Sequence, residues 1–418
     1  MQRIFTVFVV LAALSLPGLR GQSDSSRWQV NGYVKYLNST SFTQLPAQSL
    51  GSPLATNLVH HRLNLAYTPA PGWTLALGLR NRLFFADGQQ AVLGSSYAQQ
   101  IDQYAGLLDM SVRWAENDYT VLHSLVDRAY IDYSRGQWAV RAGRQRINWG
   151  VNLVWNPNDL FNALNFFDFD YEERPGNDAI RIQYYPGILS RLDIAVAPGR
   201  YDSTTVAAAL YRFNTRGYDI QVLSGYYQGD WAAGGGWEGN IGNAGFKGEA
   251  TYFYTPDAAP GLATHSLSAT VSADYLFGNG LYLSGGVLYN SNGDTAATTA
   301  SQGLLGNSLA GGALSAKNLF PAEWSLVANV SGSLTPLMAL SGAVIYAPQL
   351  AVTPVPDSLQ GVVPVVTTRH FTALVPTWTY SVREDWDIDL VGQLYFAEID
   401  GSYKHLVSSV FVRLKWSY

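Results

Sequence analysis

From Trp28 onward the chain is a succession of short stretches in which apolar and polar residues alternate, joined by links that themselves alternate between tight and long. Period-2 stretches bounded by turn residues give about 18 candidate strands. They lie near 27–39, 57–68, 73–85, 126–134, 137–147, 177–186, 189–197, 205–214, 218–227, 229–238, 243–254, 264–277, 280–290, 323–333, 336–347, 369–382, 384–396 and 405–418. Every even-numbered link is a turn, such as Pro69-Ala70-Pro71-Gly72, Arg135-Gly136, Gly278-Asn279-Gly280 or Glu384-Asp385. Most odd-numbered links are long: 40–56, 86–125, 148–176, 255–263, 291–322 and 348–368. Turns gathered at one rim and loops at the other are what an antiparallel up-and-down meander needs in order to close through a membrane. The seventh, ninth and last odd links are short, which leaves 16 strands as the alternative count. The expected fold class is therefore all-β, a transmembrane barrel.

Strand faces agree. In 73–85, Trp73, Leu75, Leu77 and Leu79 suit lipid while Thr74, Ala76, Gly78, Arg80 and Arg82 point inward. In 264–277, Leu267, Ala269, Val271, Ala273, Tyr275 and Phe277 oppose Ser268, Thr270, Ser272 and Asp274. In 384–396, Trp386, Ile388, Leu390 and Leu394 oppose Asp387, Asp389, Gln393 and Tyr395. A small barrel fills its interior with apolar side chains, whereas polar inner faces at about 16 to 18 strands predict a lumen that holds water.

The two ends carry addresses. Met1, Gln2 and Arg3 lead into an uncharged, mostly apolar run from Phe5 to Leu16, followed by Pro17, Gly18 and the polar residues Gln22 to Ser26. This is the pattern of a secretory signal peptide, with cleavage expected near Gly21 and residues 22–418 left as one domain. The apolar run is about half the length a membrane-spanning helix needs. With no Cys, the chain has no lipoprotein attachment site, disulfide framework or thiolate metal site. Of its 26 Lys and Arg, two fall in the leader, leaving 24 against 31 Asp and Glu, a balance of −7 that excludes a nucleic-acid partner. The counts of 12 Trp, 26 Tyr, 17 Phe and 40 Gly with only 14% charged residues suit interfacial aromatics and strand glycines.

At the other end, Leu406, Ser408, Val410, Val412, Leu414, Trp416 and Tyr418 share one strand face, and Val407, Ser409, Phe411, Arg413, Lys415 and Ser417 the other. A chain that stops on an aromatic at the end of such a strand resembles the carboxy-terminal signature of bacterial outer-membrane β-barrels, where Phe is the usual last residue. The resemblance implies an integral outer-membrane protein with both termini periplasmic. It also implies outer-membrane lipid and the barrel-assembly machinery as partners, with Trp416 and Tyr418 as assembly signal. Tyr418 is expected to close the barrel by pairing its strand with the one near Trp28.

Inward-facing basic residues concentrate in the first half: Arg62, Arg80, Arg82, Arg128, Arg141, Arg144, Arg146, Arg181 and Arg191. In a meander their strands are neighbours, so these side chains would form one pore-lining wall. Within this region lies the long link from Val151 to Asn177, which holds Asp159, Asp168, Asp170, Glu172 and Glu173. It resembles, in position, length and acidity, the third extracellular loop of the general porins, which folds inward as a constriction. An acidic loop against a basic wall sets a transverse field that favours polar, oriented solutes. The competing reading is structural: each Arg is neutralised by a neighbouring carboxylate, and the loop merely caps the barrel. Asn156-Pro157-Asn158-Asp159 reads as a helix N-terminus, predicting a short helix over 157–164 whose Leu160, Phe161 and Leu164 bury against the barrel interior. Arg141 and Arg144 share a face only across a bulge, for which Gly143 is the natural place. The stretch Gly143 to Gly150, a GRQR-type strand feeding such a loop, resembles the alginate-export channels and implies an 18-stranded, Arg-lined lumen for an anionic or sugar-like solute.

The remaining motifs are bland. Gly234-Gly235-Gly236 lacks the strand-then-helix setting of a phosphate loop and reads as strand or turn glycine. Asn38-Ser39-Thr40 fits a glycosylation acceptor without consequence in a bacterial barrel. The acids between Asp168 and Glu173 match no EF-hand spacing. The six His are dispersed, and His60 and His61 alternate to opposite faces, so no metal or other cofactor is expected. The expected function is passive, solute-selective diffusion of a small polar or anionic solute. A non-conducting scaffold or polysaccharide-binding barrel is the alternative. A hydrolase, with His265 beside Ser266 and Ser268 as its nearest candidate, lacks an activating third group.

Overall fold

The computed structural model describes residues 27–43, 54–86, 107–162, 176–258, 263–293, 315–320, 322–352, 366–399 and 401–418. The leader and the acids Asp168, Asp170, Glu172 and Glu173 lie outside these residues. The strands are β1 (Trp28–Thr43), β2 (Leu54–Tyr67), β3 (Trp73–Ala86), β4 (Ser111–Asn117), β5 (Thr120–Arg135), β6 (Trp138–Gln145), β7 (Asn177–Gly187), β8 (Ser190–Ala197), β9 (Val206–Thr215) and β10 (Tyr218–Tyr227). They continue with β11 (Asp230–Ile241), β12 (Ala244–Tyr254), β13 (His265–Leu276), β14 (Tyr282–Asn290), β15 (Trp324–Thr335), β16 (Met338–Val352), β17 (Val366–Arg383), β18 (Trp386–Ile399) and β19 (Ser402–Ser417). Every ladder is antiparallel, and all strands but β4 form an 18-strand meander that closes on itself. Closure is made by β1 and β19, in register from Tyr33 opposite Ser417 to Thr43 opposite Val407. Gly32 and Tyr418 extend that seam by exchanging two backbone hydrogen bonds of 3.0 Å.

The extra strand was not expected, since 86–125 reads as a loop. Strand β6 leaves the wall after Gln145, and above that point the edge of β5 has no neighbour on that side. Unpaired backbone at membrane depth costs several kcal/mol per group, by order of magnitude. β4 pairs with this edge, Ser111 opposite Leu125 to Asn117 opposite Thr120, while β3 pairs with the other edge of β5. Too few alternations in β4 separate it from loop by pattern alone.

The outer surface is an apolar belt, with Ile180 57% exposed beside Leu77, Val222, Val271 and Leu390. Paired aromatics rim it at the tight-turn end: Trp28 stacked on Tyr67, and Trp73 and Trp138 tilted against Tyr133 and Tyr184, at centroid distances of 4.4, 4.5 and 4.5 Å. Such a rim is the arrangement that a barrel seated in a bilayer uses. One residue of the terminal strand departs from its expected lipid face. Leu406 is 1% exposed and joins the interior cluster, because the β18–β19 ladder slips by one residue between Tyr395 and Phe396 and Leu406 is the one left over.

Inner faces are polar near the turn end, as expected, but not near the loop end. There Leu210, Phe253, Leu288, Ile345, Phe371 and Tyr395 point inward and pack against Ile147, Trp149, Val154, Trp155, Leu160 and Phe161 of the loop after β6. A second inward segment brings Ala316, Leu319, Phe320 and Ala322 to the same two clusters. The loop-side half of the barrel is thus packed rather than simply water-filled.

Candidate functional site

Closure sets β19, β1, β2, β3 and β5 side by side, and their inner faces carry Arg413 and Lys415, Lys35, Arg62, Arg80 and Arg82, and Arg128. Lys35 stands opposite Lys415, and Arg62 opposite Arg80. Both lysines flank the Tyr33 ring, at 5.1 and 5.3 Å from its centroid. Arg62 binds Asp127 through two nitrogens at 2.7 and 3.2 Å, and Arg80 reaches the same carboxylate at 3.2 Å. Arg413 pairs with Asp389 at 2.9 Å. Arg82 lies 3.0 Å from His123 Nδ1. His60, opposite Arg82, is 4% exposed, and neither of its ring nitrogens has a hydrogen-bond partner among the described residues.

The basic wall continues on β6 to β9. Arg141 pairs with Asp132 at 2.7 Å, and Arg181 with Asp193 at 2.5 Å, with Arg191 at 3.7 Å from the same carboxylate. Arg141 is opposite Arg181, and Arg191 opposite Arg212. Like charges placed directly opposite destabilise a sheet, a cost that the acids of the wall, Asp127, Asp132 and Asp193, offset.

Arg144 is corrected. Gly143 does adopt φ +115°, where a Cβ would also stand 2.3 Å from the Ala129 carbonyl. Both flanking ladders nevertheless keep register through it, so alternation places Arg144 on the face opposite Arg141. It is 1% exposed, pairs with Asp178 at 2.8 and 3.0 Å, and donates to the Val126 carbonyl at 2.9 Å and to the Leu108 carbonyl. Arg144 is a clasp tying β4's approach to β5 and β7, not a lumen group. Arg146 lies beyond β6, half-buried, its Nε without a hydrogen-bond partner among the described residues.

The loop after β6 crosses the lumen. Its anchor is Glu249 on the inner face of β12. The Glu249 carboxylate accepts the backbone N–H groups of Val151, of Asn152 at 2.7 Å and of Asn158 at 3.0 Å. Asn158 donates to the Gly235 carbonyl at 3.0 Å, and Thr251 donates to the Pro157 carbonyl at 2.9 Å and to Asn158 Oδ1 at 2.8 Å. Gly234 and Gly236 leave the space Asn158 occupies: Cβ atoms there would stand 2.9 and 3.1 Å from its side chain. Farther on, Asn152 accepts from the Ser272 hydroxyl, and Trp155, 2% exposed, meets Phe320 edge-on at 6.1 Å.

Two loop expectations change. The helix over 157–164 is absent in the described part: Pro157 and Asn158 form a turn, with the Asn158 N–H donating to Glu249. Asp159 does not face the basic wall. It is buried and accepts the Trp149 N–H at 3.3 Å, closing the loop on itself. Leu160 and Phe161 do bury against the barrel interior. The hydrolase candidate is not assembled: His265 is exposed and stacked on Tyr252 and Tyr254, while Ser266 and Ser268 are buried on the opposite face.

Lys35, Arg413, Lys415, Glu249 and the Asn158 seat were missed as site residues. Alternation does place Arg413 and Lys415 inward. Only closure, which joins the two most distant strands, sets them beside Lys35 and Arg62.

No protein-family model and no curated protein matches the chain. Solved structures do. OccAB4 of Acinetobacter baumannii matches with a TM-score of 0.57 at 8% identity, over 95% of this chain and 100% of that one. OpdQ of Pseudomonas aeruginosa gives 0.57 at 8%, over 94% and 99%. The outer membrane protein OpdK of Pseudomonas aeruginosa gives 0.54 at 9%, over 93% and 98%. At these identities the likeness is one of fold. The chain has the closed antiparallel barrel of these structures, over nearly the whole of each chain.

Proposed function

We propose that this barrel is a non-enzymatic outer-membrane channel for passive diffusion of small polar solutes, with a preference for anions. The observation that carries this is the set of opposed like charges on the inner wall: Lys35 with Lys415, Arg62 with Arg80, Arg141 with Arg181, and Arg191 with Arg212. A transient anion relieves such a wall, and in a confined lumen the same field raises local anion concentration. Arg82 and Arg128 belong to this lining. The loop after β6 is the constriction, with Asp159 as its internal clasp and Asp168, Asp170, Glu172 and Glu173 as the opposing negative pole. A fold shared with the outer membrane protein OpdK and a lipid-suited belt support an outer-membrane location. With the tight turns toward the periplasm, both termini are periplasmic, and Trp416 and Tyr418 serve recognition by the assembly machinery. The resemblance of Gly143 to Gly150 to alginate-export channels adds only an anionic or sugar-like class, since Arg144 lies outside the lumen.

Purified full-length protein in planar bilayers under a salt gradient tests this. Discrete conductance with a reversal potential favouring chloride is expected, and absence of conductance in several salts refutes it. The packing of Trp155 against Phe320 across the interior favours a second reading, a non-conducting scaffold, which that null result would establish.

A further inference from the structure

β5 and β3 keep continuous register except at one point. Gly78 faces Arg128 and Leu79 faces Val126, so Asp127 is an extra residue in β5. A bulge of this kind re-aims side chains, and here Asp127 and Arg128 both reach the inner wall. Asp127 is 1% exposed. Its Oδ2 lies 2.7 Å from Arg62 Nη1, 3.2 Å from Arg80 Nη2 and 4.0 Å from Arg128 Nη1. Arg128 also donates to the Asp127 carbonyl at 2.7 Å. Gly78 makes the room: a Cβ there would stand 3.0 Å from Asp127 Oδ1 and from Arg128 Cβ, and 3.1 Å from Arg62 Nη2. An inserted residue, a missing side chain and a buried carboxylate all converge on one cluster. One negative charge thus stands among three guanidinium groups and moderates them.

The geometry points to Asp127 as the residue that sets the strength of the lumen's anion preference, by gathering Arg62, Arg80 and Arg128 into one cluster and cancelling part of their charge. This rests on the channel function proposed above. Arg62 and Arg80 face each other whether or not Asp127 is present, so Asp127→Asn keeps the side chain's shape and removes one negative charge from the wall. At about 7 Å from a solute in a water-filled lumen, one unit charge changes the local concentration of a monovalent ion by roughly threefold, in opposite senses for anions and cations.

The test is the chloride-to-potassium permeability ratio of the full-length protein, from reversal potentials in planar bilayers, with folding checked by heat-dependent gel mobility. D127N is expected to raise the ratio by close to tenfold over wild type, roughly threefold from each ion. R62Q is expected to lower it by a similar factor, and R62Q/D127N to return it to the wild-type value. A folded D127N with an unchanged ratio overturns the inference while leaving the channel intact. If D127N does not fold, the comparison of R62Q with R62Q/D127N decides: failure of the double variant to recover the wild-type ratio overturns it. A wild-type barrel that does not conduct overturns both this inference and the function on which it rests.

Discussion

Replacing Glu249 by Ala removes the acceptor of three backbone donors at once, those of Val151, Asn152 and Asn158. Hydrogen bonds to a charged acceptor contribute about 1.5–3 kcal/mol each, and a buried donor left without a partner costs about 1–3 kcal/mol. Taking about 1.5 kcal/mol per donor, the loop loses about 4.5 kcal/mol of its hold on β12. Each 1.4 kcal/mol is a factor of about ten, so the population of the released loop should rise by about a thousandfold. Glu249→Gln makes the finer comparison. An amide oxygen can still serve the donors of Val151 and Asn152, but the amide NH2 then meets the Asn158 N–H, and one bond is lost. Its effect should be near tenfold. Single-channel recording in planar bilayers reads both variants as added open-channel noise and larger conductance substates, stronger in E249A than in E249Q. Conductance and noise in E249A indistinguishable from wild type would refute the assignment of Glu249 as the loop's anchor.

Further outcomes follow from the same geometry. Tyr418 lies over Gly32 and its hydroxyl contacts His61 Nε2 at 3.0 Å and the Arg62 carbonyl at 3.1 Å; Tyr418→Phe should lower the temperature of heat-dependent gel mobility change, and the loss should shrink in a His61→Leu background, whereas equal losses in both backgrounds would exclude the latch. Gly236→Val should push Asn158 from its seat and reproduce part of the E249A noise, with an unchanged recording counting against the seat. Trp155→Ala removes an aromatic from the interior cluster and should destabilise the barrel by about 3–5 kcal/mol in a denaturant titration; a change under about 1 kcal/mol would mean the loop tip is not packed as described.

The meander was legible because lipid and a polar interior impose alternation on every strand, and turn residues mark every second link. Leu75 and Leu77 against Arg80 and Arg82 needed no tertiary knowledge. What the pattern could not carry was pairing between distant parts. Glu249 alternates inward like any strand acid, and nothing beside it in sequence announces three donors almost a hundred residues away. Gly234 and Gly236 read as strand glycines, which they are, but their emptiness has meaning only once Asn158 fills it. Arg144 misled for a related reason: Gly143 has the backbone conformation expected of a bulge without the register slip, and Asp178 claims the guanidinium on the other face. Asp159 looked like a helix starter because its neighbours have the right types, yet its carboxylate accepts the Trp149 N–H and closes the loop on itself instead.

β4 gives the wall an uneven grip. Every strand of the meander is laced along both edges, whereas among the described residues β4 is laced along one, to β5 alone, with Arg144 and Asp178 fastening its approach through Leu108. Amide protons there are held by a hairpin rather than by a ring. They should exchange with deuterium well before those of β3 or β7, and a peptide matching Ser111–Asn117 could compete for the vacated edge. The barrel's circumference would survive that exchange, since β3 and β5 remain joined beneath it.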